Sequence, residues 1–99
     1  MAWLNYCQKS EEYNLKQQLK RAVVAVALNI AEGKSCKTVK DFAHFLNMSV
    51  ASLAEVEAIL TICEELNFLR DIENIYQDTE TLGKMLNSFK SKLIAREAE

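Results

Sequence analysis

The sequence predicts an all-α fold, an antiparallel up-down bundle of three long helices. The 99 residues include no proline and only two glycines, so few positions interrupt a helix. Apolar residues recur at spacings of three and four, which is the spacing of a helical bundle and not of a strand. A chain of this length forms one domain with a single modest core. We therefore expect residues 1–99 to fold as one helical-bundle domain.

The first helix is predicted to begin after Ser10, a favourable N-cap that is followed by Glu11 and Glu12. Gly33 is expected to end it, because a glycine just past the last turn adopts the left-handed conformation without a Cβ penalty. Residues 1–9 are too few for a stable helix of their own, so they are expected to be a short N-terminal segment. The buried stripe of the helix comprises Leu15, Leu19, Ala22, Val26 and Ile30.

The second helix is predicted to begin near Thr38, which can pair with Asp41 as in a capping box. Its buried stripe comprises Phe42, Leu46, Ser49, Leu53, Val56, Leu60 and Cys63. The third helix is predicted from about Asp71 to Arg96, on a stripe of Ile72, Ile75, Thr79, Leu82, Leu86, Phe89 and Leu93. At ~1.5 Å per residue the helices are roughly 35 to 40 Å long, so their lengths match.

The composition favours a cytoplasmic protein. Apolar residues make up 49% and charged residues 26% of the chain, as in soluble globular proteins. The longest uncharged stretch, from Ala22 to Ala31, is too short to cross a bilayer, so no membrane partner is expected. Cys7, Cys36 and Cys63 are odd in number and never in C-x-x-C spacing, which indicates reduced thiols.

The sequence offers little for catalysis. Glu55 and Glu57 lie about 200° apart around a helix and cannot share a face. His44 is the only histidine, so a metal centre built by one chain is not expected, and a surface or interface position suits it better. Cys36 lies in a lysine-flanked loop and is the candidate for a somewhat reactive thiol. We therefore expect no enzyme activity, no metal and no cofactor.

Two polar residues near the end of the first helix need an explanation. Asn29 falls on the packed side, where a hydrogen-bonded amide can fix the register or oligomeric state of helices. Glu32 lies in the last turn, where the helix dipole disfavours a negative charge. Candidates for its partner are Lys34, Lys37, the first amides of the second helix, or Arg96. The hypothesis is that Glu32 anchors the turn between the first two helices or a neighbouring subunit.

Charge is distributed unevenly. Residues 1–40 carry a net charge of +4 and residues 41–99 a net charge of -6. An up-down-up arrangement gathers six basic residues at one end, named here the basic pole: Lys34, Lys37, Lys40, Lys90, Lys92 and Arg96. At the other end it gathers Glu11, Glu12, Glu64, Glu65, Asp71 and Glu73. These charges are explained either as solvated helix ends that complement the dipoles, or as a surface for phosphate backbones. No aromatic residue is expected among the lysines, so base stacking is not predicted.

Three segments carry a family resemblance. The stretches QLKRAVVAVALNIAEG (18–33), DFAHFLNMSVASLAEVEAIL (41–60) and LNFL (66–69) resemble the 23S rRNA intervening-sequence proteins, a family of four-helix bundles. The accessory variability determinant of diversity-generating retroelements is similar. The residues that match the family pattern are Arg21, Ala22, Asn29, Ile30, Ala31, Glu32, Gly33, Phe42, Phe45, Leu46, Ser52, Leu53, Glu55 and Glu57.

The resemblance implies small antiparallel bundles that assemble into homo-oligomeric rings, commonly pentamers, without enzymatic activity. For the retroelement branch it also implies binding of DNA or RNA and of a reverse transcriptase. Among the matching residues, Arg21, Asn29, Glu32, Gly33 and Glu55 are the candidates for an assembly or structural motif.

The chain departs from the family pattern at several positions. Family members usually carry a long helix before the segment that begins at Ser10, and nine residues precede it here. Ala25 and Ala27 replace a serine and a proline, Ala51 replaces a glycine, and lysines follow Gly33 where arginines are usual. We therefore expect a truncated four-helix bundle with an open groove.

The functional prediction is a non-enzymatic oligomeric protein that serves as a scaffold or as a nucleic-acid-binding accessory of the intervening-sequence or retroelement type. The alternative is a protein-binding adaptor without nucleic-acid affinity, which would use the open groove to receive another helix.

Overall fold

The computed structural model of the protein describes residues 2–98, with the side chains of residues 9–98. This part of the chain contains three α-helices and no strand, which confirms the all-α prediction. The helices are α1 (Ala2–Lys34), α2 (Val39–Glu65) and α3 (Glu73–Ala98). The chain measures 64 × 23 × 12 Å along its principal axes, so the three helices form an elongated, flat layer.

The middle of this layer is α2, which packs against both other helices. Within the described residues, no Cα atom of α1 lies within 8 Å of a Cα atom of α3. Apart from Phe42, which is half-buried, the predicted stripe of α2 is buried, and Ser49 and Cys63 are fully inaccessible to solvent. The buried residues of α2 are Ala43, Leu46, Ser49, Leu53, Val56, Ile59, Leu60 and Cys63.

Where two helices are neighbours, late residues of one contact early residues of the other. The end of α1 meets the start of α2 at Gly33 and Phe42, and Val26 lies against Ser49 further along both helices. The start of α2 meets the second half of α3, where the rings of Phe42 and Phe89 lie 5.6 Å apart between centroids. The turn between α1 and α2 therefore lies at the same end of the molecule as the last turns of α3.

Two clusters of buried apolar residues form the core. One lies towards the end of α2 and comprises Ala22, Val56, Leu60 and Ile72, with Leu19 and Leu69 packed against it. The other lies towards the turn between α1 and α2 and comprises Val26, Leu46, Leu53 and Leu86, with further half-buried residues around it. Each cluster draws side chains from α1 and α2, and each is completed by residues in or just before α3.

The first helix begins earlier than predicted. It starts at Ala2, so Ser10 is an exposed residue inside the helix and not its N-cap. The prediction that residues 1–9 are separate from the helix is wrong. No glycine or proline lies between Ala2 and Ser10 to interrupt the backbone hydrogen bonds. The side chains of Trp3, Leu4, Tyr6 and Cys7 lie outside the described residues.

Gly33 has a different role from the one predicted. It lies within the last turn of α1, is buried, and does not adopt a positive φ. A methyl group at this position would lie 2.8 Å from Cδ1 of Phe42 and 3.0 Å from Cβ of Phe45. Glycine is therefore required by the close approach of α2 and not by a left-handed helix cap.

The two ends of α2 are capped. Thr38 is the N-cap, and its Oγ1 accepts a hydrogen bond from the backbone N–H of Asp41 at 3.1 Å, as predicted. After α2, Asn67 adopts a left-handed φ of 61°, and the N–H of Phe68 donates to the carbonyl of Cys63 at 2.8 Å. This is a Schellman ending, in which asparagine takes the position that glycine usually holds.

The predicted stripe of α3 is only partly buried. Ile72, Thr79 and Leu86 are buried, but Ile75 is 55% exposed and Phe89 is 46% exposed. Among the described elements, α2 is the only neighbour of the helix that carries these two residues, so one side of its apolar stripe is uncovered.

Among the described helices, α2 is the one whose length and mean hydropathy, 1.5 in its most apolar window, would also suit a membrane span. Since α2 packs against helices on both sides, the core of a bundle is sufficient to explain that composition.

Candidate interaction surfaces

An open apolar groove runs between α1 and α3, with α2 as its floor. Its volume is about 440 Å³. Asp78 is the only charged residue that lines it, and Leu53 and Val56 form part of the floor. The remaining lining residues are Val23, Val26, Ala27, Ile30, Ile75, Thr79 and Leu82. The groove exists because α1 and α3 stand apart on either side of α2.

The uncharged stretch of α1, residues 22–31, is covered on only one side. Ala22 and Val26 are buried against α2, whereas Val23 and Val24 are 52% and 53% exposed and Leu28 is 59% exposed. Ala27 and Ala31 are exposed as well. We name Val23, Val24, Ala27, Leu28 and Ala31 the α1 outer face. A helix that is apolar on all sides is usually buried on all sides. The α1 outer face is instead an exposed apolar patch that no other part of the described chain covers.

The residues of the basic pole lie at the end of the molecule that contains the turn between α1 and α2, and Lys90 differs from the other five. Lys34, Lys37 and Lys40 surround the turn between α1 and α2, and Lys92 and Arg96 lie on the last turns of α3. All five are exposed. Lys90 is half-buried, and its Nζ donates a hydrogen bond to Oδ1 of Asn47 at 2.7 Å, which joins α3 to α2. Lys90 is therefore engaged in packing.

Phe89 is an aromatic residue of the basic pole that the sequence interpretation missed. The edge of one ring meets the other in the Phe42–Phe89 pair, with an angle of 62° between their planes. Phe89 also lines two shallow surface depressions, one with Lys84 and Lys92 and one with Lys92 and Arg96. The prediction that no aromatic residue lies among the basic residues is wrong. The spacing of three between Phe89 and Lys92 was the available signal.

Asn29 is half-buried, and its amide nitrogen forms a hydrogen bond within its own helix. Its Nδ2 donates to the carbonyl of Ala25 at 2.8 Å. The polar side chain that does join two helices is Ser49, whose Oγ donates to the carbonyl of Val26 at 2.9 Å. Ser49 is fully buried, so it provides a polar contact between α1 and α2 inside the core.

Glu32 contributes to the turn through its backbone. Its carbonyl oxygen accepts from Oγ of Ser35 at 2.8 Å and from Sγ of Cys36 at 3.3 Å. Its side chain is exposed and makes no ion pair with any side chain that the structure describes. The predicted partners within the chain, among them Lys34 and Lys37, do not reach the carboxylate.

Arg21 and Glu55 are both exposed, and they do not pair with each other. Within residues 9–98, one ion pair is present, between Nζ of Lys16 and Oε1 of Glu12 at 2.9 Å. It joins neighbouring turns of α1 at the end opposite the basic pole. The charges of the basic pole are thus left without carboxylate partners inside the described part of the chain.

The two described cysteines are not activated. Desolvation raises the pKa of Cys36, and the carboxylates of Asp41 and Glu32 raise it further. Burial likewise raises the pKa of Cys63. Since the thiolate is the reactive form, the prediction that Cys36 is somewhat reactive is not supported. His44 is exposed, and no three metal-ligating side chains of residues 9–98 come together to hold an ion.

Comparison with known proteins gives one match. The family model described as 23S rRNA-intervening sequence protein matches residues 2–88. No curated protein and no solved structure shows a significant match. The matched range includes α1, α2 and α3 as far as residue 88, and therefore the groove and the turn between α1 and α2.

Proposed function

The chain belongs to the family of 23S rRNA-intervening sequence proteins, and from this premise we propose that it is a non-enzymatic, cytoplasmic assembly protein. In this proposal an antiparallel, truncated four-helix bundle associates with further copies of itself through α1. The assembly serves as a scaffold and presents its basic poles to nucleic acid. A closed ring, commonly a pentamer, is the assembly that the family resemblance implies.

Self-assembly is supported by one observation: in the described chain the apolar side chains of the α1 outer face are exposed and the adjoining apolar groove is open. Burial of apolar surface contributes about 25 cal/mol per Å², so these exposed side chains represent a substantial driving force for association. A helix of another copy supplies the apolar surface that α1 and the groove lack. Asn29 and Glu32 lie at the edge of this region, where a neighbouring subunit would be the partner of the Glu32 carboxylate.

The experiment places charge on the α1 outer face. The double variant Val24→Lys/Leu28→Lys is expected to lower the mass measured by light scattering towards that of a single chain, because two ammonium groups would have to be desolvated in the contact. The matched control is Thr81→Lys/Ser91→Lys, which adds the same charge at exposed positions of α3. If the control lowers the mass equally, or the α1 variant leaves it unchanged, α1 is not the interface.

Nucleic-acid binding is supported by a separate observation, that the cations of the basic pole form no ion pair with any side chain of residues 9–98. Cations without carboxylate partners are free to replace the counterions of a phosphate backbone, and a ring would repeat them in each subunit. Such contacts are weakly sequence-specific. DNA or RNA is the proposed ligand, and in a retroelement role a reverse transcriptase is the proposed protein partner.

A salt-titrated binding assay tests this function. The triple variant Lys34→Gln/Lys37→Gln/Lys40→Gln is expected to weaken binding of a labelled oligonucleotide and to reduce the slope of log affinity against log salt by roughly 2 to 3. The control replaces three cations away from the pole, Lys9, Lys20 and Arg70. An oligomer that binds neither DNA nor RNA at low salt would favour the protein-binding adaptor, which uses the groove alone.

A further inference from the structure

We infer that Phe89, together with Lys92 and Arg96, forms a stacking site for one base of a single-stranded nucleic acid. The inference rests on the proposed nucleic-acid function and specifies its ligand: single strands are bound in preference to duplexes. The residues concerned lie on the second half of α3, at the basic pole.

The ring of Phe89 is both held and accessible. Its edge-type contact with Phe42, at 5.6 Å between centroids, fixes the side chain against the start of α2. Nevertheless 46% of the residue is exposed. A fixed aromatic ring with a free surface is the element that base stacking requires, because stacking needs a flat π surface whose ordering cost is already met by the fold.

Cations lie beside this ring on the same helix. Lys92 and Arg96 follow Phe89 by three and seven residues, which places them on the same side of α3 about 4.5 and 10.5 Å further along its axis. Lys92 lines both depressions that Phe89 lines, and Arg96 lines the second. Among the described residues, no carboxylate lines either depression, and their volumes are about 490 and 310 Å³.

This combination selects among nucleic acids. The bases of a duplex are stacked on one another and cannot present a face to Phe89, whereas an unpaired base can lie on the ring while Lys92 and Arg96 hold phosphates of the strand that continues along α3. The remaining cations of the basic pole attract any phosphate backbone. Phe89 therefore accounts for the preference for single strands over duplexes. The lysines of the turn account for the overall affinity and for its dependence on salt.

The test compares a 15-nucleotide oligo-dT with a 15-base-pair duplex, both fluorescently labelled, by anisotropy at low salt. Phe89→Leu keeps an apolar side chain against Phe42 but removes the ring. It is expected to weaken single-strand binding about tenfold, the effect of losing one stacked base, while duplex affinity changes by less than about twofold. Phe89→Tyr keeps the ring and is expected to retain single-strand binding. The control is Met85→Leu, an exposed residue of the same depression.

The outcomes separate this inference from the function on which it rests. If the wild-type chain binds neither probe, the nucleic-acid function is refuted. If it binds both and Phe89→Leu alters neither affinity, or both equally, stacking on Phe89 is refuted and the function remains. Competition by poly-glutamate as effective as by oligo-dT would show that the pole recognises anions in general, which would also overturn the inference. If Phe89→Leu does not fold, Phe89→Met removes the ring in the same way, keeps an apolar side chain against Phe42, and carries the same expected loss of single-strand binding.

Discussion

At the scale of single residues, the two glycines differ in the space around their Cα atoms. A methyl group at Gly33 would collide with Phe42 and Phe45, whereas at Gly83 its nearest neighbour would be Cδ2 of Leu53 at 3.5 Å, an ordinary contact. We predict that Gly33→Ala lowers the free energy of unfolding by about 1 to 2 kcal/mol through overpacking. Gly83→Ala is expected to raise it by up to about 1 kcal/mol, because alanine is the better helix former.

Chemical denaturation of both variants measures this difference. Because each substitution adds the same methyl group to a helix, each variant is the control for the other. Equal effects of the two substitutions would show that close packing against α2 is not what Gly33 provides.

Cys36 gives a prediction on pH. Its raised thiol pKa means that, at any pH below that pKa, the folded chain has a smaller thiolate fraction than the unfolded chain. In a Cys7→Ser/Cys63→Ala background, we expect iodoacetamide to react more slowly with the folded protein than with the urea-unfolded protein at pH 8. When the reaction rate is plotted against pH, the curve of the folded protein should lie at higher pH than that of the unfolded protein. A profile at lower pH than that of the unfolded chain would contradict the desolvated environment of the thiol.

At the scale of secondary-structure elements, the second helix was the most predictable. Its apolar spacing predicted a buried stripe, which is covered because α2 has a neighbouring helix on each side. Thr38 predicted its N-cap, because capping depends on the local sequence. The end of α2 was less evident, since an asparagine, Asn67, adopts the left-handed conformation there and no glycine marks the position.

The first and third helices show why part of the candidate surface was beyond sequence reasoning. Spacing reveals that a helix has an apolar side, but it does not reveal whether a neighbour covers that side. Ile75 and Phe89 follow the stripe of α3 and are nevertheless exposed, because α3 meets α2 alone. The start of α1 was misplaced because a good N-cap residue such as Ser10 is also tolerated inside a helix when no residue breaks the backbone.

Polar contacts across helices were equally hard to assign. Asn29 and Ser49 both lie on packed sides, and which of them reaches a second helix depends on side-chain length and helix separation. The short hydroxyl of Ser49 suits a close contact with α1, whereas the longer amide of Asn29 reaches back to its own helix.

At the scale of the whole molecule, exposed charge and exposed apolar surface lie on different parts of the chain. The basic pole lies at one end of the molecule, and the α1 outer face runs along α1 towards it. Salt is therefore expected to affect nucleic-acid binding at the pole far more than association through the apolar face, since screening acts on exposed charges.

The most direct test of the account is the mass of the wild-type chain by light scattering over a concentration series. One chain has a mass of 11.3 kDa. Association through α1 predicts a mass that is an integer multiple of this value and that persists at high salt, because the contact is apolar. A mass of one chain at every concentration would contradict the central claim that copies of this protein cover the α1 outer face.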